Sequence, residues 1–117
     1  LVVEDEADVL SIFVTTLEKA GYLVTPAQNG DKARKIFETD PNFDLLLTDK
    51  MMPGKLQGTA LSKILREQMP DLRVVFMSGY TREVNGDGRG QQSQDIHLTK
   101  PVRRANLLAA VRKSLSN

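Results

Sequence analysis

Acidic, hydroxyl and amino side chains follow four of the short apolar runs in the sequence. Glu4 and Asp5 come after the first run, and Asp49, Ser78 and Lys100 come after three others. Two carboxylates about 4 Å apart repel each other by roughly 4 kcal/mol at an effective dielectric constant near 20, so such a group needs a proton, an ammonium group or a hard cation. Oxygen-only ligands favour Mg²⁺ or Mn²⁺ over Zn²⁺. The residue types therefore predict a divalent-metal site with a lysine beside it.

The same set of side chains can carry phosphoryl chemistry. A carboxylate beside a divalent cation and an ammonium group can attack phosphorus, because the cations neutralise the oxygens of the transferring phosphoryl group. The Ser78 hydroxyl can donate to one phosphoryl oxygen, and backbone N–H groups after Asp49 and Ser78 can hold others. Glu6, Asp8 and Asp31 have a simpler explanation, since negative charge is favourable in the first turn of a helix. We assign no chemical role to these three.

Five apolar runs, at 1–3, 23–25, 43–47, 72–77 and 96–98, alternate with segments of helical period. The length and β-branching of the runs favour strands. Gly21, Asp40 with Pro41, and Pro70 are placed to end the first three helices, and a last helix begins near Arg103. This alternation predicts a parallel α/β sheet that is covered on both faces. Sites in such sheets form at the carboxyl ends of the strands, where the acids, Ser78 and Lys100 are expected to meet.

The segment 81–95 is the exception to this pattern. Gly86, Gly88 and Gly90 interrupt it, and Val84 is its only aliphatic residue. The crossover rule requires a connection here, but each glycine in a helix costs about 1 kcal/mol relative to alanine. We expect a short or irregular fourth helix with high mobility. A dimer through this face should be weak or absent, so the chain is expected to be a monomer or a weak dimer.

Composition limits the function further. The 117 residues fit a single domain, and 16 basic against 15 acidic residues give a net charge of +1, which argues against nucleic-acid binding by this domain. The absence of cysteine excludes disulfides and thiolate metal sites. The sequence shows neither a membrane-spanning apolar run nor a signal peptide, so we expect a cytoplasmic domain without membrane contact. The sequence begins within a predicted strand, and we expect it to be a fragment of a longer chain, which could itself be membrane-anchored.

Four segments, LVVEDE, DLLLTDKMMPG, MSGY and TKPV, resemble the receiver (response-regulator) domains of two-component signalling in their order and separation. The resemblance covers essentially the whole chain, 1–117, and is greatest to receivers fused to sensor hybrid histidine kinases. A separate regulator that carries an output domain is the alternative parent. The resemblance implies a flavodoxin-like (βα)5 fold, which is a doubly wound parallel sheet with strand order 2-1-3-4-5.

The resemblance also implies roles for the acidic residues. Asp49 matches the phosphoacceptor of the family. The implied cofactor is Mg²⁺, with Mn²⁺ as an alternative, and its ligands would be Glu4, Asp5, Asp49 and the backbone carbonyl of Met51. Asp5 would bind the metal directly and Glu4 would bind it through water.

Further roles fall at the ends of the last two strands. Ser78, Gly79 and Lys100 match the residues that contact the phosphoryl group. His97 lies where the family usually has a Phe or Tyr that switches between exposed and buried positions, and a switch role and a plain edge-strand role are both open for it. The bond between Lys100 and Pro101 is expected to be cis.

The implied function is a phosphoacceptor switch in a phosphorelay. Asp49 would take a phosphoryl group from a phosphohistidine on a histidine kinase or a histidine phosphotransfer domain, and the acyl phosphate would change the surface presented to a partner. The isolated domain would catalyse its own phosphotransfer and slow dephosphorylation without being an enzyme in the usual sense. One alternative is an aspartate-nucleophile phosphatase, but Met51 stands where such enzymes have a second acid. The other alternative is a phosphate-independent binding module.

Overall fold

A computed structural model of the chain describes residues 1–52, 56–79 and 95–116. Its strands are β1 (Val2–Val3), β2 (Pro26–Ala27), β3 (Leu45–Asp49), β4 (Arg73–Ser78) and β5 (Ile96–Thr99). All of them pair in parallel in one sheet with the order β2-β1-β3-β4-β5. The described helices are α1 (Ala7–Lys19), α2 (Gly30–Thr39), α3 (Gly58–Gln68) and α4 (Arg104–Ser116). The predicted doubly wound sheet and its strand order are confirmed.

Neighbouring residues of the central strands point to opposite faces of the sheet, and each face is covered. Leu46 of β3 belongs to an apolar cluster with Phe37 of α2 and Leu61 of α3. Leu47, the next residue, belongs to a second cluster with Phe13 of α1, and α4 contributes to the same cluster. Because both faces are buried, β3 and β4 are almost continuously apolar. The two clusters hold the central strands in place on both faces, next to the carboxyl ends where the acidic residues lie.

The end of α1 follows a predicted signal, and the start of α2 is capped by a side chain. Gly21 has a φ of 101°, which is a left-handed conformation that glycine adopts at little cost, and its N–H donates to the Glu18 carbonyl just after α1. At the start of α2, the side chain of Asn29 accepts a hydrogen bond of 2.8 Å from the Lys32 N–H.

The second strand lies later in the chain than the run 23–25 predicted. The carbonyl of Thr25 accepts a hydrogen bond from the Val2 N–H at 2.9 Å, and the paired residues are those of β2. Leu23 is 99% exposed, so this apolar side chain is not part of the core. Its run only leads into the strand, because backbone pairing with β1 sets the position of β2.

The predicted short or irregular helix covers 81–95, and all of that segment except Asp95 lies outside the described ranges. The weak-dimer prediction depends on the same segment and stays a prediction. Within the described ranges, the helices are too short or too polar for any of them to cross a membrane.

Candidate functional site

Strands β1 and β3 bring three carboxylates together. Glu4 directly follows β1, and Asp49 is the last residue of β3. The register pairs Val3 with Thr48, so Glu4 and Asp49 continue the same row of neighbours. Oxygens of Glu4, Asp5 and Asp49 lie within 4.8 Å of one another. Glu4 is fully buried and Asp49 is 2% exposed, so two of the three acids are removed from water.

Lys100 joins the two buried acids. Its N–H donates to the Ser78 carbonyl at 2.8 Å, which continues the pairing of β4 with β5. Its Nζ lies 2.7 Å from Asp49 Oδ1 and 3.0 Å from Glu4 Oε1. The peptide bond between Lys100 and Pro101 is cis. One ammonium group therefore bridges two carboxylates that would otherwise repel each other.

The remaining oxygens of the two buried acids differ. Glu4 Oε2 accepts a hydrogen bond of 3.0 Å from the backbone N–H of Glu6, the residue before α1. Asp49 Oδ2 is buried and has no hydrogen-bond partner within the part of the chain that the structure describes. The Glu6 contact was not predictable, because a main-chain donor carries no signal in the sequence. Asp49 thus keeps one oxygen that no described group of the protein pairs with.

The proton affinities of Asp49 and Lys100 reflect this crowding. Burial raises the pKa of Asp49 from 3.8 to about 7; the contact with Lys100 opposes the shift, and the Glu4 carboxylate adds to it. Burial alone would lower the pKa of Lys100, but the hydrogen bonds with Asp49 and Glu4 outweigh it and raise that pKa. A further positive charge at the acids would bring the pKa of Asp49 down again.

The loop after β3 is held by residues that the sequence analysis did not single out. The Met52 N–H donates to Gln57 Oε1 at 2.6 Å, and Gln57 Nε2 donates back to the Met52 carbonyl at 2.8 Å. At the first residue of α3, a Cβ on Gly58 would lie 1.9 Å from the carbonyl oxygen of Asp49, so only glycine fits there. Met51 lies within this loop with its side chain 75% exposed, and the predicted role of its carbonyl stays a prediction.

Ser78 and Gly79 lie at the same end of the sheet. Asp49 pairs with Met77, so Ser78 lies one residue beyond Asp49 on the neighbouring strand. A Cβ added to Gly79 would meet no atom of the described residues within 4 Å, and the residue is exposed. The structure therefore brings Glu4, Asp5, Asp49, Ser78, Gly79 and Lys100 to one end of the sheet, as the strand-end positions predict.

His97 lies apart from the acids. Its ring stacks on Phe76, with 5.3 Å between the centroids and 24° between the planes, and Lys50 Nζ lies 5.8 Å from the Phe76 ring. His97 Nε2 is buried without a hydrogen-bond partner among the described residues. Burial and then the charge of Lys50 lower the pKa of His97, whereas Asp95 opposes them. The neutral imidazole is therefore the form that fits this position at pH 7.

The acidic cluster fits a hard divalent cation. Its donors are carboxylate oxygens alone, which suits Mg²⁺ or Mn²⁺, and the unpartnered Asp49 Oδ2 is a ligand atom that the protein itself does not use. The cation would also relieve the repulsion between the buried acids.

Comparison with known proteins decides the family. The family model of the response regulator receiver domain matches residues 1–112. The chain belongs to this family. It is 35% identical to the response regulator receiver protein CpdR of Brucella abortus over 98% of this chain and 94% of that protein. It is 31% identical to the sensor kinase CckA of Brucella abortus, of which it spans only 12%.

Solved structures agree with the receiver fold. A response regulator receiver protein from Sinorhizobium medicae superposes with a TM-score of 0.87 at 30% identity, covering 98% of this chain and 91% of that one. The receiver domain of the hybrid histidine kinase CckA superposes with a TM-score of 0.81 at 32% identity, covering 97% and 95%. The described elements are thus those of a receiver domain, as the motif resemblance implied.

Proposed function

We propose that this receiver domain is a phosphoacceptor switch in which Asp49 takes a phosphoryl group from a phosphohistidine with the help of Mg²⁺. The observation that carries the proposal is the state of the Asp49 carboxylate. It is buried at the end of β3, one oxygen contacts Lys100 at 2.7 Å, and the other has no partner among the described residues. Such a carboxylate is held in place and still has an oxygen that no described group of the protein pairs with.

In the proposed transfer, an oxygen of Asp49 forms a bond to phosphorus while the bond from phosphorus to the donor imidazole breaks. The imidazole leaves with the electron pair of that bond and takes up a proton, and Asp49 becomes an acyl phosphate. Lys100 supplies an ammonium group beside the new phosphoryl oxygens, and Ser78 lies one residue beyond Asp49 on the neighbouring strand. Positioning and charge neutralisation account for most of the acceleration in phosphoryl transfer.

Glu4, Asp5 and Asp49 would hold the Mg²⁺, together with the Met51 carbonyl. When bound, the cation neutralises charge on the phosphoryl oxygens. Within the chain, Glu4 is kept in position by the Glu6 N–H, and Lys100 balances whatever negative charge the cation leaves. The acyl phosphate would then attract the side chains of Lys100 and Ser78. Their movement would change the surface beside β4 and β5.

Incubation with acetyl phosphate and Mg²⁺, followed by intact-mass measurement, tests the proposal. The wild-type chain should gain one phosphoryl group, and Asp49→Asn and Asp49→Ala should gain none. Chelation of the metal should abolish the gain in the wild type. Asp44→Asn is a matched control, because Asp44 is an exposed acid at the opposite end of β3. An Asp49→Ala protein that is phosphorylated at the wild-type rate refutes the assignment.

The same preparation distinguishes the alternative functions. Sustained hydrolysis of a phosphomonoester with Mg²⁺ would indicate an aspartate-nucleophile phosphatase. That activity needs a general acid near Asp49, but the residue two positions later is Met51, whose exposed side chain is apolar. A wild-type chain that takes up no phosphoryl group at all would instead support a phosphate-independent binding module.

An apolar cleft beside Lys100 supports a protein as the phosphodonor. The cleft has a volume of about 490 Å³, and Val9, Ile12, Phe13, Pro101 and Val102 form its apolar wall. Ile12 is 49% exposed although it is large and apolar. Because the cleft opens next to Lys100, a donor that presents a phosphohistidine to Asp49 would cover it. We expect a histidine kinase or histidine phosphotransfer domain to bury this wall on docking.

Ile12→Ser separates docking from chemistry. With a histidine phosphotransfer domain that phosphorylates the wild-type chain, we expect transfer to fall about tenfold, which corresponds to loss of one buried aliphatic contact. The rate with acetyl phosphate should not change. Leu23→Ser is the matched control, because Leu23 is exposed and lies away from the cleft wall. Equal loss with both donors contradicts the docking role.

The parent chain is part of the proposal as well. Similarity to the CckA receiver supports a hybrid sensor kinase, in which this domain would accept the phosphoryl group from its own chain. The transcriptional regulator PhoP of Bacillus subtilis is also 31% identical, and this chain spans 47% of it. A separate regulator with an output domain is therefore the second candidate.

A further inference from the structure

Among the described strands, β5 is attached to the sheet on one side only. It pairs with β4 from Val75 opposite Ile96 to Ser78 opposite Thr99, and no further strand of the described chain lies beyond it. None of its four residues is fully buried. A short edge strand with a single neighbour opens and changes register more easily than a central one. Lys100 follows this strand directly, so its position depends on how well β5 is held.

A forked ion pair lies at the start of β5. Asp95, the residue before the strand, accepts from both terminal nitrogens of Arg66, at 2.7 Å and 3.2 Å. Arg66 Nε also donates to the Leu72 carbonyl at 3.1 Å, just before β4. The Asp95 side chain is only 5% exposed and that of Arg66 26%. One guanidinium group near the end of α3 therefore ties together the entrances of β4 and β5.

This geometry can fix the register of β5. A fork of two parallel hydrogen bonds sets both the position and the orientation of the carboxylate. With Asp95 fixed against Arg66, Lys100 falls five residues later, at the carboxyl end of the sheet. A slip by two residues would keep the alternation of faces but would move Lys100 by about 7 Å along the strand. Its contacts with Asp49 and Glu4 would then be lost.

We propose that Arg66 and Asp95 form a positioning element that keeps Lys100 in place for phosphoryl transfer to Asp49. The inference rests on the proposed function, in which Lys100 contacts the phosphoryl group. The hydrogen bonds of Arg66 and Asp95 within the described chain include neither the acids nor the incoming group, so we expect the pair to act through Lys100, which directly follows β5.

Hydrogen exchange provides a first test that does not depend on phosphorylation. Arg66→Lys keeps the charge without the fork, and Asp95→Asn keeps the shape without the charge. In both variants we expect the amides of β5 to exchange about tenfold faster, while those of β1 and β3 do not change. Arg34→Lys is the matched control, because the Arg34–Glu38 ion pair lies on the exposed face of α2. Unchanged exchange in β5 overturns the proposal.

Phosphorylation by acetyl phosphate provides the second test, as a double-mutant cycle. Arg66→Lys and Asp95→Asn should each slow phosphorylation about threefold in the wild-type background, because Lys100 is displaced part of the time. In the Lys100→Met background neither should have any further effect, and neither should weaken Mg²⁺ binding.

The outcomes are distinct. Equal slowing in both backgrounds indicates general destabilisation and overturns the proposal, as does the absence of slowing in the wild-type background. If the wild-type chain itself takes up no phosphoryl group, the proposed function fails, and the hydrogen-exchange result still decides whether the ion pair holds β5.

Discussion

Glu4 directly follows β1 and Asp49 ends β3, two strands that have a neighbour on each side. Lys100 follows β5, which pairs only with β4 among the described strands. The two acids are buried to 2% exposure or less, and the side chain of Lys100 is 27% exposed. The acidic half of the site consists of Glu4, Asp5 and Asp49. It is further held by the Glu6 N–H and by the close approach of Gly58 to Asp49. The basic half is Lys100, which is held by the pairing of β5 with β4 and by the forked ion pair of Arg66 with Asp95.

This difference indicates a division of labour within one site. A metal site profits from ligands that are fixed before the cation arrives, because no binding energy is then spent on ordering them. A group that reports on phosphorylation has to respond to it, and such groups belong to the less stable parts of a fold. The central strands therefore suit metal binding and the edge strand suits the response.

Gly58→Ala should have the largest effect on stability, because it displaces the backbone of Asp49 in the acidic half. The added Cβ would lie 1.9 Å from the Asp49 carbonyl oxygen, and the backbone must move to admit it. We expect the free energy of unfolding in urea to fall by about 3 kcal/mol or more, together with weaker Mg²⁺ binding. Gly79→Ala is the matched control at the end of β4, where a Cβ meets no atom of the described residues within 4 Å, and its stability should stay near that of the wild type. Equal losses of stability in the two variants would contradict the proposed difference between the acidic half and the end of β4.

Asp49→Asn should change the pH dependence of stability without metal. The pKa of Asp49 is raised from 3.8 to about 7, so the folded chain holds this proton more tightly than the unfolded chain does, and wild-type stability falls as the pH rises from 4 through 7. The variant lacks this loss. With a chelator present, the free energy of unfolding of the variant should rise by about 2 kcal/mol relative to that of the wild type between pH 5 and pH 8.

Urea unfolding at the two pH values measures this gain, with Asp8→Asn as the control, since Asp8 is an exposed acid on α1. Saturating Mg²⁺ should cancel the advantage of the variant by binding the ionised wild type. A difference between variant and wild type that is the same at pH 5 and pH 8 would contradict the burial argument.

Lys100→Met should affect the two halves in opposite ways. We expect phosphorylation by acetyl phosphate to slow roughly tenfold, which is less than for a fully buried donor because the partly exposed ammonium is screened by water. Mg²⁺ should bind at least as tightly as to the wild type, because a cation has been removed from the acids that hold it. Titration of Mg²⁺ and phosphorylation rates measure both. Lys35→Met, on the exposed face of α2, is the control, and weaker Mg²⁺ binding in Lys100→Met would sink this assignment of roles.

The sequence predicted the acidic half and Lys100 because strand-end position and residue type suffice to identify them. Arg66 was not predictable in the same way, since its partner is set by the fold: Arg66 and Asp95 are 29 residues apart in the chain. Gln57 bonds the main chain of Met52, and a main-chain partner carries no signal in the sequence. The misplaced second strand has a different cause. Leu23 is apolar yet exposed, and an apolar run alone cannot show which of its residues pair with β1.

His97→Phe should have the smallest effect, and it tests how far the edge strand tolerates change. Phenylalanine keeps the stacking on Phe76 and removes the buried Nε2, which has no partner among the described residues. We expect the free energy of unfolding to rise by about 0.5 kcal/mol at pH 8.

The pKa of His97 is lowered in the folded state, so the unfolded chain takes up the proton first and wild-type stability falls as the pH drops through 6.5. The gain from His97→Phe should therefore be larger at pH 5.5 than at pH 8. Tyr22→Phe, a variant that packs against the second apolar cluster, is the control for urea unfolding at both pH values. A gain that does not depend on pH would show that the imidazole is protonated as easily in the folded chain as in the unfolded one, and the edge strand would then be more open than its contacts indicate.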